Sequence, residues 1–583
     1  MAGISKKPRK LGLKALSIML LVCLCAAAQA QNPDDSNIFQ PKGLEFTGIY
    51  ALRQIEPGLM GEGVKFAVVC RSFTYIDNEP QNDYRPAIGH NCFSTRRFLF
   101  YDQFELHPGI SPHSTAVCSI LFGEDPNAYN SNIGQFYYQG TLPHAQASIY
   151  EFNHFLFNNV NSLTPPDADI ITADFGYPFE EWWTRGIDAL VEHYGIIVVA
   201  GIGNGTDAYD SVLYPAAAAN VIGVGLVNSV SNDNPEINLA NFALASPSHS
   251  SNGPTGDGRC KPDIIAPGNC LAADVNSPDQ YEPTGDWSSF STPIVAGAIG
   301  MLVQKAKQEP ELNMAISPNG GNCVIKAILL NSATKLPYWH KGRLQTDDDH
   351  IVPLDYIQGA GMLNAVGAYE NLVAGIQTPG EVSATGWDLN RLDDNNSSGN
   401  IYKITIPEPA DKCITATLVW NRHYSKVYPF RPLRGQDANL RLEIWAVDPN
   451  DPDNSYLLDY SDSSIDNIEH IYSPLDAAFT NYEIIMSAND TNSEARKSVA
   501  QQYSLAWNVG SKQDRDNILW YDLNADGIVN DSDLTIMLKN LLDSGKSSEN
   551  YLIGDINPDG AIDINDLKAL WDHNNMQADW QNN

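Results

Sequence analysis

The chain has 583 residues, which at about 100 to 200 residues per domain predicts several domains. Its 36 Lys and Arg residues against 70 Asp and Glu residues give a formal net charge of −34, and 43% of the residues are hydrophobic, as in packed globular proteins. These values exclude disorder along the whole length. They also make DNA and RNA poor partners, because an acidic surface repels a phosphate backbone.

Residues 1–30 have the pattern of a secretory signal peptide. Five basic residues precede an apolar run, 15–28, that ends in Ala28-Gln29-Ala30. A transmembrane helix is the alternative, but the run is shorter than the ~20 residues that a bilayer requires. We expect cleavage after Ala30 and a secreted, extracellular protein without a membrane span.

Cysteine usage leaves an odd number of thiols in the exported chain. Cys23 and Cys25 lie in the signal peptide, and an odd remainder cannot be fully paired within one chain. Cys260 and Cys270 are near enough in sequence to bridge a short loop, although the sequence does not fix the connectivity. The cysteines outside the signal peptide are Cys70, Cys92, Cys118, Cys260, Cys270, Cys323 and Cys413.

Residues 31–378 form the first predicted domain, of the α/β class. Short apolar runs at 65–69, 169–172 and 195–200 alternate with helix-like stretches. Continuous apolar strands of this kind indicate a parallel sheet with helices on both faces.

Residues 379–511 form a second predicted domain, of the all-β class. A stretch rich in Asp, Asn and Ser at 393–400 leads into apolar runs separated by polar turns, without helices between them. That pattern predicts a β-sandwich. The predicted strands are 401–407, 414–420, 440–447, 482–487 and 503–509.

Residues 515–576 contain two acidic loops, each followed by a helical pattern (534–542 and 567–571). The spacing of oxygen-bearing residues in both loops is that of an EF-hand calcium loop, in which a glycine at position 6 allows a sharp turn. Twelve filled positions favour two Ca²⁺ ions over a pair of polar turns that bind nothing. The predicted ligands are Asp522, Asn524, Asp526, Ile528 (backbone carbonyl), Asn530 and Asp533, then Asp555, Asn557, Asp559, Ala561 (backbone carbonyl), Asp563 and Asp566.

The paired loops, with Asp rather than Glu at the last position, resemble the type I dockerin. The resemblance implies a small helical calcium-binding module that binds a cohesin module of a scaffold or cell-surface protein. Positions 10 and 11 of each loop contribute to specificity in such modules. They are Asp531 and Ser532 in the first loop and Ile564 and Asn565 in the second.

Three segments of the first domain together point to nucleophilic catalysis, which needs an activated nucleophile, a base and donors for an oxyanion. The segment 287–297, WSSFSTPIVAG, resembles the nucleophile motif of the subtilases, the subtilisin-like serine proteases, and would make Ser289 the nucleophile. The segment 113–117, HSTAV, resembles the family's histidine motif and implies His113 as general base. The segment 198–205, VVAGIGNG, resembles the strand end that supplies the oxyanion-hole asparagine, here Asn204.

One position departs from that family pattern. The strand 63–69 runs into Cys70, where a subtilase has the aspartate that orients the histidine. Three interpretations are open: a carboxylate from Asp77, Glu79 or Asp83 takes its place, Cys70 acts as a thiolate, or the domain is a pseudoprotease that only binds peptide.

The resemblance implies a secreted serine endopeptidase of protein or peptide substrates that is attached through its dockerin to a cohesin-bearing complex. The second domain has short similarities, at 416–420 and 466–470, to the sandwich that follows some subtilase domains, which implies structural support. Trp420 and Trp445 are either core residues or a sugar-binding platform.

Overall fold

The computed structural model describes residues 47–576 with gaps. The residues outside this description are 1–46, 77, 95–97, 103–108, 131–133, 206–211, 230–241, 246–249, 269, 285–286, 337–338, 343–349, 394–398, 489–499, 512–520, 522, 524–527, 541–562 and 577–583. The predicted signal peptide, Asp77 and most of the predicted calcium ligands therefore lie outside the described residues.

A parallel sheet forms the centre of the first domain, as the apolar runs predict. Its strand order is β11-β10-β9-β8-β1-β7-β4 within the described residues, and β12 also pairs with β10. All pairings are parallel except that of β10 with β11. The strands of this domain are β1 Lys65–Cys70, β2 Phe73–Ile76, β3 Glu79–Asn82, β4 Phe98–Tyr101, β5 Glu124–Asn130, β6 Gly134–Gln139, β7 Gln146–Glu151, β8 Ile170–Ala173, β9 Ile197–Gly201, β10 Ile222–Ser229, β11 Phe242–Ala245, β12 Ile264–Pro267, β13 Leu271–Ala273 and β14 Tyr281–Pro283.

Helices cover both faces of this sheet. The apolar residues of α2, α5, α6 and α7 share one core with one face, and those of α3 and α4 share a second core with the other. The helices are α1 Ile49–Ile55, α2 Pro112–Phe122, α3 Phe152–Phe155, α4 Trp182–Tyr194, α5 Ser288–Gln308, α6 Gly321–Asn331 and α7 Ala365–Val373. The α/β class predicted from the sequence is confirmed.

Helix α5 runs through the first core and packs closely on its neighbours. A Cβ added to Gly297 would lie 2.1 Å from Oγ1 of Thr141, and one added to Gly300 would lie 2.1 Å from Cδ1 of Leu142. Small residues at these positions therefore fix how closely the helix approaches the chain beside it.

The second domain is a sandwich of two mainly antiparallel sheets. The described strands give one sheet in the order β15-β17-β22-β19-β20 and another in the order β16-β23-β18-β21. The strands are β15 Gly380–Val382, β16 Thr385–Leu392, β17 Asn400–Thr405, β18 Lys412–Val419, β19 Leu440–Val447, β20 Tyr456–Ser461, β21 Ile468–Pro474, β22 Asn481–Ala488 and β23 Gln501–Ser511. The sequence patterns indicated β17, β18, β19, β22 and β23 but not the others, in which polar residues interrupt the apolar alternation.

The two tryptophans singled out in the sandwich have different surroundings. Trp420 is 1% exposed and belongs to the sandwich core, which agrees with the core interpretation. Trp445 is partly buried on the outer face of β19, where its Nε1 donates to Glu443 at 2.9 Å.

Polar contacts join the sandwich to the first domain. Asp466 accepts a hydrogen bond from the Cys260 amide at 2.8 Å, and His423 lies 2.7 Å from Glu192. Because these groups are buried or partly buried, the two domains are held in a specific orientation rather than merely tethered.

The last module contains helices α8 Asp531–Asn540 and α9 Ile564–Asp572. Both begin three residues earlier than the apolar patterns predict, because the last three loop residues, 531–533 and 564–566, form the first turn of each helix. Tyr521, Val529, Met537 and Leu570 make its small core. In the described part of the chain, no helix is long and apolar enough to cross a membrane.

A buried ion cluster supports the sheet beneath β10. Asp263 is fully buried, pairs with Lys261 and with Lys326 (3.0 Å), and accepts from the Gly223 amide at 2.6 Å. The two ammonium groups and the amide keep the pKa of this carboxyl below its usual range, despite burial.

Substitution Asp263→Asn should lower the free energy of unfolding by about 3–5 kcal/mol, because it leaves two buried ammonium groups without their counter-charge. Urea unfolding followed by tryptophan fluorescence measures this loss. Asp393→Asn is the control, since the Asp393 side chain is 79% exposed and its loss should change stability by less than about 0.5 kcal/mol. Equal stabilities of the two variants would contradict the role assigned to the cluster.

All seven cysteines in the described part of the chain are free and buried. The possible Cys260–Cys270 bridge is therefore wrong. The Cys260 thiol instead lies 3.6 Å from the Leu354 carbonyl, and the Thr284 hydroxyl lies 3.7 Å from the Cys270 sulfur.

We expect the folded protein to protect these thiols from alkylation. Iodoacetamide at pH 8 followed by peptide mass spectrometry should modify the seven cysteines only after a denaturant is added, since burial removes both access and thiolate character. A peptide pair linked through Cys260 and Cys270 in the non-reduced digest would contradict the free state.

Candidate active site

A cavity of about 820 Å³ opens at the carboxyl edge of the parallel sheet. Strands β1, β8 and β9 run in the same direction, so the residues that follow them meet at this edge, the usual binding edge of open α/β sheets. Helices α2 and α5 begin there too. The lining includes Arg71, His113, Asp174, Asn204, Glu282, Trp287, Ser288 and Ser289.

Ser289 lies in the first turn of α5 and is partly exposed to the cavity. Its hydroxyl donates to the backbone carbonyl of Asp174 at 3.0 Å rather than to a histidine. Catalytic hydrogen bonds in ligand-free sites are often formed only when substrate binds, so this geometry does not exclude a nucleophilic role. The helix N-terminus adds partial positive charge where an oxyanion would form.

Asn204 follows β9 and is fixed by its neighbours. Its Oδ1 accepts from the Ser288 amide at 2.8 Å and from the Ser288 hydroxyl at 3.0 Å. The acceptor side of this amide is thereby used, and its Nδ2 remains to donate to a group in the cavity. The turn before it requires glycine, because Gly203 has φ of +116° and an added Cβ would lie 2.5 Å from the Ser251 hydroxyl.

His113 is the second residue of α2, whose N-terminus is capped by Ser111 accepting from the Ser114 amide. Its ring is tilted against Phe290 of α5, with the ring centroids 5.7 Å apart. Burial and then the charge of Arg71 lower the pKa of His113 to about 4. The imidazole is therefore neutral at neutral pH and able to accept a proton.

Cys70 is the last residue of β1 and is 3% exposed. Burial, followed by the nearby carboxyl groups of Asp174 and Asp83, raises the pKa of this thiol to about 12, although the Ser114 hydroxyl partly opposes the shift. A thiol that stays protonated at neutral pH is inconsistent with the thiolate interpretation.

Asp77, Glu79 and Asp83 are the three carboxylates that could take the place of the aspartate. The two that the structure describes, Glu79 and Asp83, do not pair with His113. Asp83 is buried and forms an ion pair with Arg71 at 2.6 Å. Glu79 is exposed on β3, in a hairpin with β2, and Asp77 lies outside the described residues. The Asp83 carboxylate is thus paired with Arg71, which lines the cavity, rather than with His113.

Asp174, which no sequence motif indicated, follows β8 directly and lines the cavity together with Ser289. A carboxylate immediately after an apolar strand of a parallel sheet was the available signal, since such residues lie at the binding edge. Asp174 is 2% exposed, and burial raises its pKa to about 8 against the opposing hydrogen bond from Thr172.

One bulky side chain and two acidic side chains also belong to the cavity lining. Trp287, 42% exposed, stands directly before Ser288 at the start of α5, where the subtilase motif has a glycine. Asp274 and Glu282 also line the cavity, and burial together with Asp274 raises the pKa of Glu282.

In the last module the described ligand positions agree with an oxygen-rich loop. Asp533 and Asp566, position 12 of each loop, are fully buried, and each accepts the backbone amide of position 9 (Asn530 at 2.7 Å, Asp563 at 2.8 Å). The other described ligand positions are Ile528, Asn530 and Asp563, and the remaining seven lie outside the described residues. Two buried carboxylates in equivalent positions are the donor chemistry that Ca²⁺ prefers.

Comparisons with known proteins agree with both resemblances. Residues 92–361 match the model of the Subtilase family (Peptidase_S8), and residues 520–573 match that of the Dockerin type I domain. Subtilisin-like protease SBT6.1 of Arabidopsis thaliana is 26% identical over 271 residues, 45% of this chain and 22% of that protein. Pyrolysin of Pyrococcus furiosus is 28% identical over 209 residues, 32% of this chain and 13% of that protein.

Among solved structures, that of the Prenylagaramide maturation protease PagA has a TM-score of 0.38 at 20% identity, and the match covers 56% of this chain and 98% of that one. The matched region spans less than a quarter of the length of the two curated relatives. Residues 92–361 thus form a subtilase domain, and residues 520–573 form a type I dockerin domain.

Proposed function

We propose that this protein is a serine endopeptidase that hydrolyses peptide bonds in protein substrates. The observation that carries the proposal is the meeting of Ser289, His113 and Asn204 in one cavity at the carboxyl edge of the sheet. Each comes from a different element, and their order along the chain agrees with the subtilisin arrangement of base before serine.

In the proposed reaction the Ser289 oxygen attacks the carbonyl carbon of a peptide bond, and its proton passes to the neutral imidazole of His113. The electron pair of the carbonyl moves to oxygen, which the Asn204 Nδ2 group and the N-terminus of α5 stabilise. The carbon–nitrogen bond then breaks as His113 gives the proton to the leaving amine. In the second half of the reaction His113 takes a proton from water, which attacks the acyl carbon, and returns it to the Ser289 oxygen as the ester bond breaks.

A second candidate is a pseudoprotease that binds peptide without cleaving it. Cys70 favours it, because a buried thiol with pKa of about 12 carries no charge to stabilise an imidazolium. In subtilisin, loss of the triad aspartate costs a factor of about 3 × 10⁴ in kcat, and a triad that lacks a member still leaves catalysis about 10³ to 10⁴ above water.

A fluorophosphonate probe separates the two candidates. We expect the probe to label the purified protein at Ser289 and expect Ser289→Ala to abolish the labelling, because only a serine activated by a base reacts with it. Peptide mass spectrometry locates the adduct.

Ser291→Ala is the matched control, in the same turn of the same helix. Its hydroxyl is buried and donates to the Ser288 carbonyl at 3.0 Å, so its loss should leave labelling unchanged. Folded protein that takes no label at Ser289 would favour the pseudoprotease.

We further propose that the dockerin module binds two Ca²⁺ ions and docks the protein to a cohesin on a scaffold or cell-surface protein. The positions that contribute to specificity in such modules, Asp531, Ser532, Ile564 and Asn565, are all exposed at the starts of α8 and α9. Ile564 is 69% exposed, an apolar group suited to a protein partner. Residues 1–30 would direct the chain to the secretory route, which agrees with an extracellular partner.

Calcium would be held by the oxygen atoms of both loops, where its charge compensates the buried carboxylates of Asp533 and Asp566 when it is bound. Removing it with EDTA should increase hydrogen exchange of the amides in 531–540 and 564–572 by at least about ten-fold and abolish cohesin binding, because metal binding is coupled to folding of such small modules.

Asp533→Ala and Asp566→Ala should have the same effect with calcium present. Asp572→Ala is the control, since that carboxylate is 54% exposed and pairs only with Lys568 at 3.3 Å among the contacts described for it. The strands of the first domain supply an internal control in the same experiment. Unchanged exchange in EDTA would contradict the calcium proposal.

A further inference from the structure

The parallel register places a carboxyl group beside the residue that stands at the family's aspartate position. Strand β1 pairs with β8 from Phe66 opposite Ile170 to Val69 opposite Ala173, so the residue that follows β8, Asp174, lies beside Cys70. Adjacent strands lie about 4.8 Å apart. The charge of Asp174 also raises the pKa of the Cys70 thiol, which agrees with their closeness.

The two side chains also belong to the same face of the sheet. Along β1, Phe66, Val68 and Cys70 belong to the core under α2 and α5, while Ala67 and Val69 belong to the opposite core. Along β8, Ile170 belongs to the first core and Ala173 to the second, so alternation places Asp174 on the face of α2 and α5. These helices carry His113 and Ser289.

Asp174 is in direct contact with the candidate nucleophile, and its carboxyl group has few hydrogen-bond partners among the described residues. Its backbone carbonyl accepts from the Ser289 hydroxyl at 3.0 Å, and its carboxyl accepts only the Thr172 hydroxyl, at 3.2 and 3.3 Å, among the described hydrogen bonds. Burying a carboxyl group that has a single hydrogen-bond donor costs free energy of folding. A catalytic use would explain why it lines the cavity.

The carboxylate on the other side of Cys70 is engaged elsewhere. Glu151, which pairs with Cys70 across β7, is 1% exposed and accepts from the amides of Asn153 and His154, both at 2.9 Å, as the cap of α3. It does not belong to the cavity lining. Of the two carboxyl groups that adjoin Cys70 across the sheet, Asp174 lines the cavity and Glu151 does not.

We propose that Asp174 is a positioning residue whose carboxylate, one strand away from Cys70, stabilises the imidazolium of His113 while Ser289 attacks. This inference rests on the proposed function. The Ser289 proton moves to His113 as the bond from the serine oxygen to the carbonyl carbon forms, and it leaves with the amine; Asp174 gains and loses no proton in the cycle. An ionised carboxylate within about 4–6 Å of an imidazole raises the basicity of that imidazole by about 10-fold or more.

The pH dependence of this role is distinct because the pKa values of Cys70 and His113 lie far from that of Asp174. The pKa of Cys70 is about 12, that of His113 about 4 and that of Asp174 about 8. Asp174 is ionised above pH 8 and neutral below it, so Ser289 reactivity should rise as pH increases through about 8. The other titratable or charged groups of this region are Arg71 with Asp83, Tyr177, Glu151 on β7, and Asp274 and Glu282 of the cavity lining.

The test measures the rate constant of Ser289 labelling by a fluorophosphonate from about pH 5.5 to about pH 9.5, with Ser289→Ala as background. We expect an inflection near pH 8 in the wild type. Asp174→Asn should lower the rate at about pH 9 by about 10- to 100-fold and remove the inflection. Thr172→Val should move the inflection to higher pH, because the hydrogen bond that it removes favours the ionised form of Asp174.

Two further variants complete the design. Glu151→Gln, on the other side of Cys70, should keep the wild-type inflection. Cys70→Asp should raise the rate and make it insensitive to Asp174→Asn, since the carboxylate is then supplied by β1. If Asp174→Asn does not fold, the shift in Thr172→Val decides.

The experiment distinguishes failure of this inference from failure of the proposed function. A labelled wild type whose inflection survives in folded Asp174→Asn, or is unmoved in Thr172→Val, overturns this inference and leaves the proposed function standing. A wild type that takes no label at any pH overturns the proposed function and this inference with it.

Discussion

The parallel register of β1, β8 and β9 is the constraint on which the candidate site depends. Because the three strands run the same way and pair without offset, their carboxyl ends bring Cys70, Asp174 and Asn204 to one edge. The N-termini of α2 and α5 lie at the same edge, and close packing of Gly297 on Thr141 fixes how near α5 approaches its neighbours. His113 and Ser289 are held there as a consequence.

Burial sets the electrostatic state of this edge. It lowers the pKa of His113 and raises those of Asp174 and Cys70, so all three groups are uncharged at neutral pH, while Arg71 and Asp83 form the nearby charged pair. A site of this kind develops charge only during a reaction. Fixed donors such as Asn204 and the α5 N-terminus then act on that charge in a medium of low dielectric.

The sandwich and the dockerin differ in how they relate to the first domain. The sandwich is joined to the first domain by buried polar contacts such as Asp466 with the Cys260 amide. The dockerin has its own small core around Met537 and Leu570. Residues at the starts of its helices, such as Asp531 and Ile564, are exposed.

The sequence by itself determined the fold class, the dockerin loops and the positions of Ser289, His113 and Asn204, because these depend on local periodicity and short motifs. It also showed that Cys70 interrupts the pattern. It did not show Asp174, the free state of Cys260 and Cys270, or the pairing of Asp83 with Arg71. Those facts depend on strand register, burial and contacts between residues far apart in the chain, which only the tertiary structure decides.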